Sequence, residues 1–264
     1  MEVLSVKYAD QPVRLSSHYH DCHQILYIVS GEISALINGV EHHAGKGDLL
    51  ILSRFEEHSI RQLSDEYKRY TLRISSDISH DDPLLSSVLV NRAAGFSHTV
   101  NAMEYQQDFA SLLERMNLEY AQKLPMYREM LELELRRFLV LLYRLAPRLF
   151  LSQDNRGSIM IKEIQQRFEE RYEEPMTLAE LASDYHISPS HLSHLFKKVT
   201  GYSPMDYLQA CRLSAAKREL TEGNRNIKEI VYRCGFGDES NFSRTFKERT
   251  GLTPSEFRRR YHRD

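Results

Sequence analysis

The sequence predicts an α+β protein of two domains, an antiparallel β-barrel with trailing helices followed by an all-helical domain made of a duplicated helix pair. Three observations carry that prediction. From about residue 13 to residue 75, apolar residues alternate or come in short runs bounded by glycine turns. From about residue 82 their spacing becomes helical. Finally, HLSHLFKKVTGYSP at 191–204 returns as NFSRTFKERTGLTP at 241–254.

In the first region ILYIVSG, EISALING, GDLLILS and YKRYTLRIS read as strands, and the NG pair at 38–39 signals a tight hairpin. Short strands in such succession make a small antiparallel barrel or sandwich. In the helical region Tyr105, Phe109, Leu112 and Met116 are spaced 4, 3, 4, and Leu131, Leu135, Phe138, Leu142, Leu145 and Leu149 continue that rhythm. Each set forms one apolar seam, which can serve a partner subunit or pack down onto the barrel. Between the two, dimerisation through residues 100–151 is the preferred expectation. SQDNRGS at 152–158 is polar and small and reads as the linker, so the domains are placed at 1–151 and 159–264.

The 264 residues are 41% hydrophobic and 27% charged, as in a soluble globular protein. MEVLSVKYAD lacks the features of a signal peptide, and FLVLLYRLAPRLFL at 138–151 carries Arg144 and Arg148, so no membrane span is expected. Cys22, Cys211 and Cys234 are odd in number and widely separated, which argues against a disulfide framework or a cysteine zinc site. A cytoplasmic protein is the expectation. Residues 1–158 hold 17 Lys and Arg against 21 Asp and Glu, whereas residues 188–264 hold 15 against 9. That basic C-terminal balance suits an anionic partner.

The duplication defines the second domain. At an offset of 50, Ser193, Phe196, Lys197, Thr200, Gly201 and Pro204 match Ser243, Phe246, Lys247, Thr250, Gly251 and Pro254. Upstream, TLAELA at 177–182 matches NIKEIV at 226–231 at an offset of 49, so the second copy has one extra residue in its turn. Thr177 with Glu180, and Asn226 with Glu229, have the spacing of capping boxes that open a first helix. Ser188 and Pro189 open the second helix of the first copy. Leu192, Leu195, Phe196 and Val199 are expected inside, as are Phe242 and Phe246. What remains outside is small hydroxyls, an amide, an arginine and lysines, a set suited to the DNA major groove.

Residues 159–264 resemble the DNA-binding domain of AraC/XylS-family transcription regulators, in SPSHLSHLFKKVTGYSPMDYL, RLSAAKREL and IKEIVYRCGFGDESNFSRTFKERTGLTPSEFR. The resemblance implies two helix-turn-helix units whose recognition helices enter successive major-groove segments on one DNA face. Carried over by position, Ser190, His191 and His194 would read bases in the first unit, and Glu239, Ser240, Asn241 and Arg244 in the second. Ser193, Lys197, Lys198, Ser243 and Lys247 would meet phosphates. His194 stands where the family often has arginine, and Val231 where it usually has alanine.

The N-terminal 80 residues resemble a cupin barrel, the sensor domain of a large branch of that family. In HYHDCHQ, residues 18–24, His18 and His20 match the cupin motif, Gln24 replaces its glutamate, and His58 matches the second motif's histidine. Three readings follow: a metal-dependent cupin enzyme with an accessory DNA domain, a metal-sensing or structural ion site, or a metal-free polar pocket for a small effector. Neutral Gln24 lacks the charge that favours hard divalent ions, and the metal-free pocket is preferred. Arg14, His18, His20, Gln24, Tyr27, His58 and Arg73 are its expected lining, while His42 and His43 are expected at the surface. The sequence therefore points to a regulator, not an enzyme, with no required cofactor. Its expected partners are a double-stranded DNA operator, a small effector that could be a sugar, RNA polymerase and a second copy of the chain.

Overall fold

The computed structural model describes residues 2–11, 14–75, 89, 96–150 and 156–261, and at residues 14–17, 156 and 158 only the backbone. The chain divides into two units, Met1–Asn155 and Arg156–Asp264.

In the first unit β1 (Val3–Ala9), β8 (Lys68–Ile74), β3 (His23–Ser30), β6 (Asp48–Leu52) and β9 (Thr99–Asn101) form one sheet in that order. A second sheet runs β2 (Arg14–His18), β7 (His58–Gln62), β4 (Glu32–Ile37), β5 (Val40–Gly45). Pairing is antiparallel throughout. Asn38 and Gly39 both take positive φ, 48° and 82°, giving the tight β4–β5 hairpin that the NG pair predicts. No described strand pair joins the two sheets, so the barrel is a two-sheeted one rather than a closed ring.

The period-two rule of strands explains how the layers stack. Leu26 and Ile28 of β3 pack with Leu50 and Leu52 of β6 against Ile33, Ala35, Ile37, Ala44 and Ile60 of the other sheet. The alternate residues Ile25, Tyr27, Leu49, Ile51, Leu72 and Ile74 face the other way. They meet helices α1 (Gln106–Gln122) and α2 (Tyr127–Leu145), so β3 is buried on both faces.

This third layer settles where the helical seams go. Phe109, Leu112, Met116, Leu131, Leu135, Phe138, Leu142 and Leu149 all lie in the core beneath the first sheet. The seam set aside for a partner subunit is therefore consumed within the protomer, because the outer face of that sheet is itself apolar and needs a cover. Met130, Leu133 and Val140 on the opposite side of α2 remain exposed.

The second unit is all helical: α3 (Arg156–Glu170), α4 (Leu178–Asp184), α5 (Pro189–Thr200), α6 (Pro204–Glu222), α7 (Ile227–Arg233), α8 (Glu239–Thr250) and α9 (Pro254–Tyr261). Helix α3 begins at Arg156, inside the stretch read as linker. Helix α6 serves both halves of the unit. Tyr207 stacks with Phe196 and Phe168 of the first half, while Leu213, Ala216 and Leu220 join Ile230, Val231, Phe242 and Phe246 of the second. Cys22, Cys211 and Cys234 are buried and form no disulfide.

Candidate DNA interface and ligand pocket

The sequence repeat extends to individual hydrogen bonds. After α4 the turn closes through His186 N–H to Ser183 O and Ile187 N–H to Ala182 O, each 3.0 Å. After α7 the same bonds recur at 3.0 Å, from Gly235 N–H to Tyr232 O and from Phe236 N–H to Val231 O. His186 and Gly235 are the left-handed residues of the two turns, with φ of 55° and 76°. This is the doubly bonded helix end of a Schellman motif, which reverses the chain within a few residues. The extra residue is Gly237, since the next helix is capped by Ser188 in one copy and by Asp238 in the other.

Caps then aim the second helices. Ser188 Oγ accepts from His191 N at 3.2 Å, and Asp238 Oδ1 accepts from Asn241 N at 2.7 Å. The first copy's capping box is complete, with Thr177 N donating to Glu180 and Glu180 N donating back to Thr177. In the second copy Asn226 accepts from Glu229 N at 2.8 Å. Both second helices end on a left-handed glycine, Gly201 and Gly251, whose N–H reaches Lys197 O and Lys247 O.

The buried stripes are Leu192, Phe196 and Val199 on α5, and Phe242, Thr245 and Phe246 on α8. Leu195 is half-buried. Ser190, His191, His194, Lys197 and Lys198 are exposed on α5, as are Glu239, Ser240, Asn241, Arg244 and Lys247 on α8. Ser193 and Ser243 lie half-buried at the edges of those faces. Arg244 Nη2 donates to Asn241 Oδ1 at 3.2 Å, which aligns a guanidinium and an amide one helical turn apart. Such a pair presents the donors and acceptors by which guanine and adenine edges are told apart.

In the first unit the structure brings together His18, His20 and His58, whose ligand nitrogens all lie within 4.8 Å of one another. Their ring centroids are 4.5 Å (His18–His58), 4.8 Å (His18–His20) and 5.4 Å (His20–His58) apart. Strand pairing places them, because His18 on β2 stands opposite His58 on β7. His20 lies just beyond β2, where its carbonyl accepts from Phe55 N at 2.9 Å. His58 Nδ1 is 2.8 Å from the backbone oxygen of Glu56. A carbonyl can only accept, so Nδ1 carries the proton and Nε2 presents its lone pair. That Nε2 is buried without a partner. Burial, with neighbouring His18 and then the positive charge of Arg73 contributing, holds the His58 imidazole below its ordinary pKa.

Gln24 shares the inward face of β3 with Leu26 and Ile28, and it stands opposite Arg73 on β8. Gln24 Oε1 and Arg73 Nε are likewise buried without partners. Tyr27 goes elsewhere, as an odd-numbered residue of β3 in the helix-facing core whose hydroxyl donates to Gln106 O at 3.3 Å. The structure thus separates it from the histidines. The side chain of Arg14 lies outside the description. His23, the third histidine of HYHDCHQ, accepts from Arg54 N at 3.1 Å. His43 is exposed as expected, while His42 is half-buried and packs on His98 at 4.8 Å. Glu56, which no sequence signal marked, is fully buried and accepts from Ser53 N and Asn38 Nδ2 at 2.7 and 3.2 Å. No described helix is long and apolar enough to cross a membrane.

A two-sheeted domain enclosing a polar cluster, followed by paired helix-turn-helix units, is the build of a ligand-responsive DNA-binding regulator. Comparison with known proteins agrees. The model of the AraC-like ligand binding domain matches residues 2–139, and a helix-turn-helix domain model matches residues 181–260. The chain belongs to the AraC family of transcription regulators, with an effector-binding N-terminal domain and a DNA-binding C-terminal one.

The transcriptional activator RhaS of Salmonella schwarzengrund is 26% identical over 246 residues, covering 91% of this chain and 86% of RhaS. YijO of Escherichia coli, an uncharacterized helix-turn-helix regulator, is 37% identical over 108 residues, and the chain spans 38% of its length. Among solved structures, ToxT from Vibrio cholerae superposes with a TM-score of 0.61 at 16% identity, covering 97% of this chain and 98% of that one. That likeness shows a shared two-domain fold.

Proposed function

We propose that this chain is a transcriptional activator that reads a double-stranded operator through α5 and α8 and responds to a small molecule held between the sheets of its first unit. The observation that carries the DNA half is the equivalence of the two exposed faces, set by the same turn bonds and caps. Ser190, His191 and His194 read bases from α5, and Glu239, Ser240, Asn241 and Arg244 read them from α8. Ser193, Lys197, Lys198, Ser243 and Lys247 hold phosphates and fix the register. Activation in place of repression is supported by the RhaS match across both units. The chain then acts in the cytoplasm where its operator lies, contacts RNA polymerase there, and performs regulation without catalysis.

The effector occupies the cluster of His18, His20, Gln24, His58 and Arg73. Gln24 Oε1 and His58 Nε2 are acceptors and Arg73 Nε–H is a donor, all three buried and unsatisfied. A ligand whose hydroxyls both donate and accept, such as a sugar, satisfies the three together and removes a cost of about 1–3 kcal/mol per orphaned group. A second copy docks on the exposed row Met130, Leu133 and Val140 of α2.

Binding to operator and to random DNA by two variants tests the DNA assignment. Arg244→Ala loses about 1–3 kcal/mol on the operator alone, whereas Lys197→Ala weakens binding on any sequence. Equal losses on both DNAs for Arg244→Ala would remove Arg244 from base reading.

A further inference from the structure

Among the described residues, no carboxylate pairs with Arg73. Its neighbours on β8, Leu72 and Ile74, face the helices, so Arg73 turns with its cross-strand partner Gln24 toward the second sheet. His58 stands on that sheet opposite Ile37, whose side chain lies in the core between the sheets. The charge of Arg73 bears on the ionisation of both His58 and Cys22, which places the guanidinium near them. We propose that the effector is an anionic hydroxy acid of the sugar-acid class, its carboxylate clamped side-on by Arg73 and its hydroxyls donating to Gln24 and His58. This inference rests on the assignment of the cluster as the effector pocket and sharpens it by naming the ligand's charge.

Charge balance is the first support. A guanidinium drawn away from water requires an anion. Arg73 is half-buried, and its Nε wholly so. The nearby carboxylates are engaged elsewhere. Asp21 pairs with Arg54 at 2.7 Å, while Glu56 accepts from Ser53 N and Asn38 Nδ2 and faces His98 Nε2 at 3.5 Å.

The orphaned atoms are the second support, and they specify more than a charge. Arginine grips a carboxylate through two parallel N–H groups, and the side-on form of that grip uses Nε–H. Arg73 Nε is buried without a partner, so this edge is open. An ionised carboxylate only accepts, however, whereas Gln24 Oε1 and His58 Nε2 are unpartnered acceptors that need donors. A simple or fatty acid therefore leaves both orphaned. A neutral sugar serves them but leaves the guanidinium uncompensated. The ammonium of an amino acid would supply donors while setting a second positive charge beside Arg73. A carboxylate and hydroxyls carried by one small molecule meet all three groups.

The test is calorimetric titration of the full chain with glucuronate, galacturonate and gluconate. Each is set against a neutral counterpart, glucuronamide, galactose and sorbitol, and hexanoate and serine serve as a hydroxyl-free acid and an amino acid. At least one hydroxy acid should bind about tenfold or more tightly than its neutral counterpart and than hexanoate or serine. Arg73→Gln should erase that preference, Arg73→Lys should keep part of it, and Gln24→Ala should weaken the acid. The exposed control His43→Ala should change nothing, and circular dichroism checks that each variant is folded. The proposal is overturned if no hydroxy acid binds, if a neutral counterpart, hexanoate or serine binds as well, or if the preference survives Arg73→Gln. A neutral sugar whose binding is lost in Gln24→Ala but indifferent to Arg73→Gln overturns the anion while leaving the pocket standing. Binding of any probe that Gln24→Ala, His58→Ala and Arg73→Gln all leave unchanged overturns the pocket as well.

Discussion

Gly235 and Arg212 share one space in the second unit: a β-carbon on Gly235 would lie 2.8 Å from Arg212 Nε and 2.7 Å from Tyr172 O. Arg212, on α6, donates to Tyr172 O at 2.7 Å and to Glu174 O at 2.8 Å, the loop that leads into α4. The turn of the second helix-turn-helix is thereby seated on the entrance to the first. Gly235 is also left-handed, with φ of 76°. Gly235→Ala should destabilise the second unit by about 1–3 kcal/mol through strain and the lost arginine bonds. Thermal unfolding measures the loss, and unchanged stability would show that the loop yields without cost.

The two faces of α2 should respond in opposite ways to substitution. Leu135 is fully buried against the first sheet, and Leu135→Ala should cost about 2–5 kcal/mol. Leu133 is 63% exposed, so Leu133→Glu should leave unfolding within about 0.5 kcal/mol of the parent. If the second copy docks on that exposed row, sedimentation of Leu133→Glu shows a monomer under conditions where the parent is a dimer. A dimer unaffected by Leu133→Glu would move the interface elsewhere.

What could be read in advance follows from which signals are local. The β4–β5 turn, the strands around Ile25, Leu49 and Leu72, and both helix-turn-helix units announce themselves through turn chemistry and periodicity within a few residues. Strand β1 escaped because a register irregularity between Val3 and Ser5 breaks its alternation. Tyr27 was misplaced for a related reason. β3 is buried on both faces, so its run ILYIV carries no polar marker of which side is which. The seams of α1 and α2 were visible, but an apolar stripe does not name its partner, and only the apolar outer face of the first sheet decides it. His58 joins His18 and His20 through the resemblance to the cupin motifs, whereas the orphaned atoms of Gln24 and Arg73 depend on cross-strand register.

Burial pushes the Cys234 thiol from its ordinary 9.0 up to about 12, with Glu219 adding to the effect. The unfolded chain thus releases this proton first as pH rises. Stability from the buried neutral thiol is whole below about pH 9 and is lost as pH climbs toward about 12. The Tm of the second unit should fall from pH 8 to pH 10 less steeply in Cys234→Ala than in the parent. Parallel declines would show that Cys234 does not contribute to alkaline unfolding.

The central claim is that two equivalent helix faces read one operator together. Its most direct measurement is hydroxyl-radical footprinting of the full chain on an operator selected from random DNA, with the Arg244→Ala variant alongside. Two protected segments about one helical turn apart on one DNA face are expected, with Arg244→Ala losing base preference in only one of them. A single protected segment, or base preference unchanged in both segments by Arg244→Ala, would contradict it.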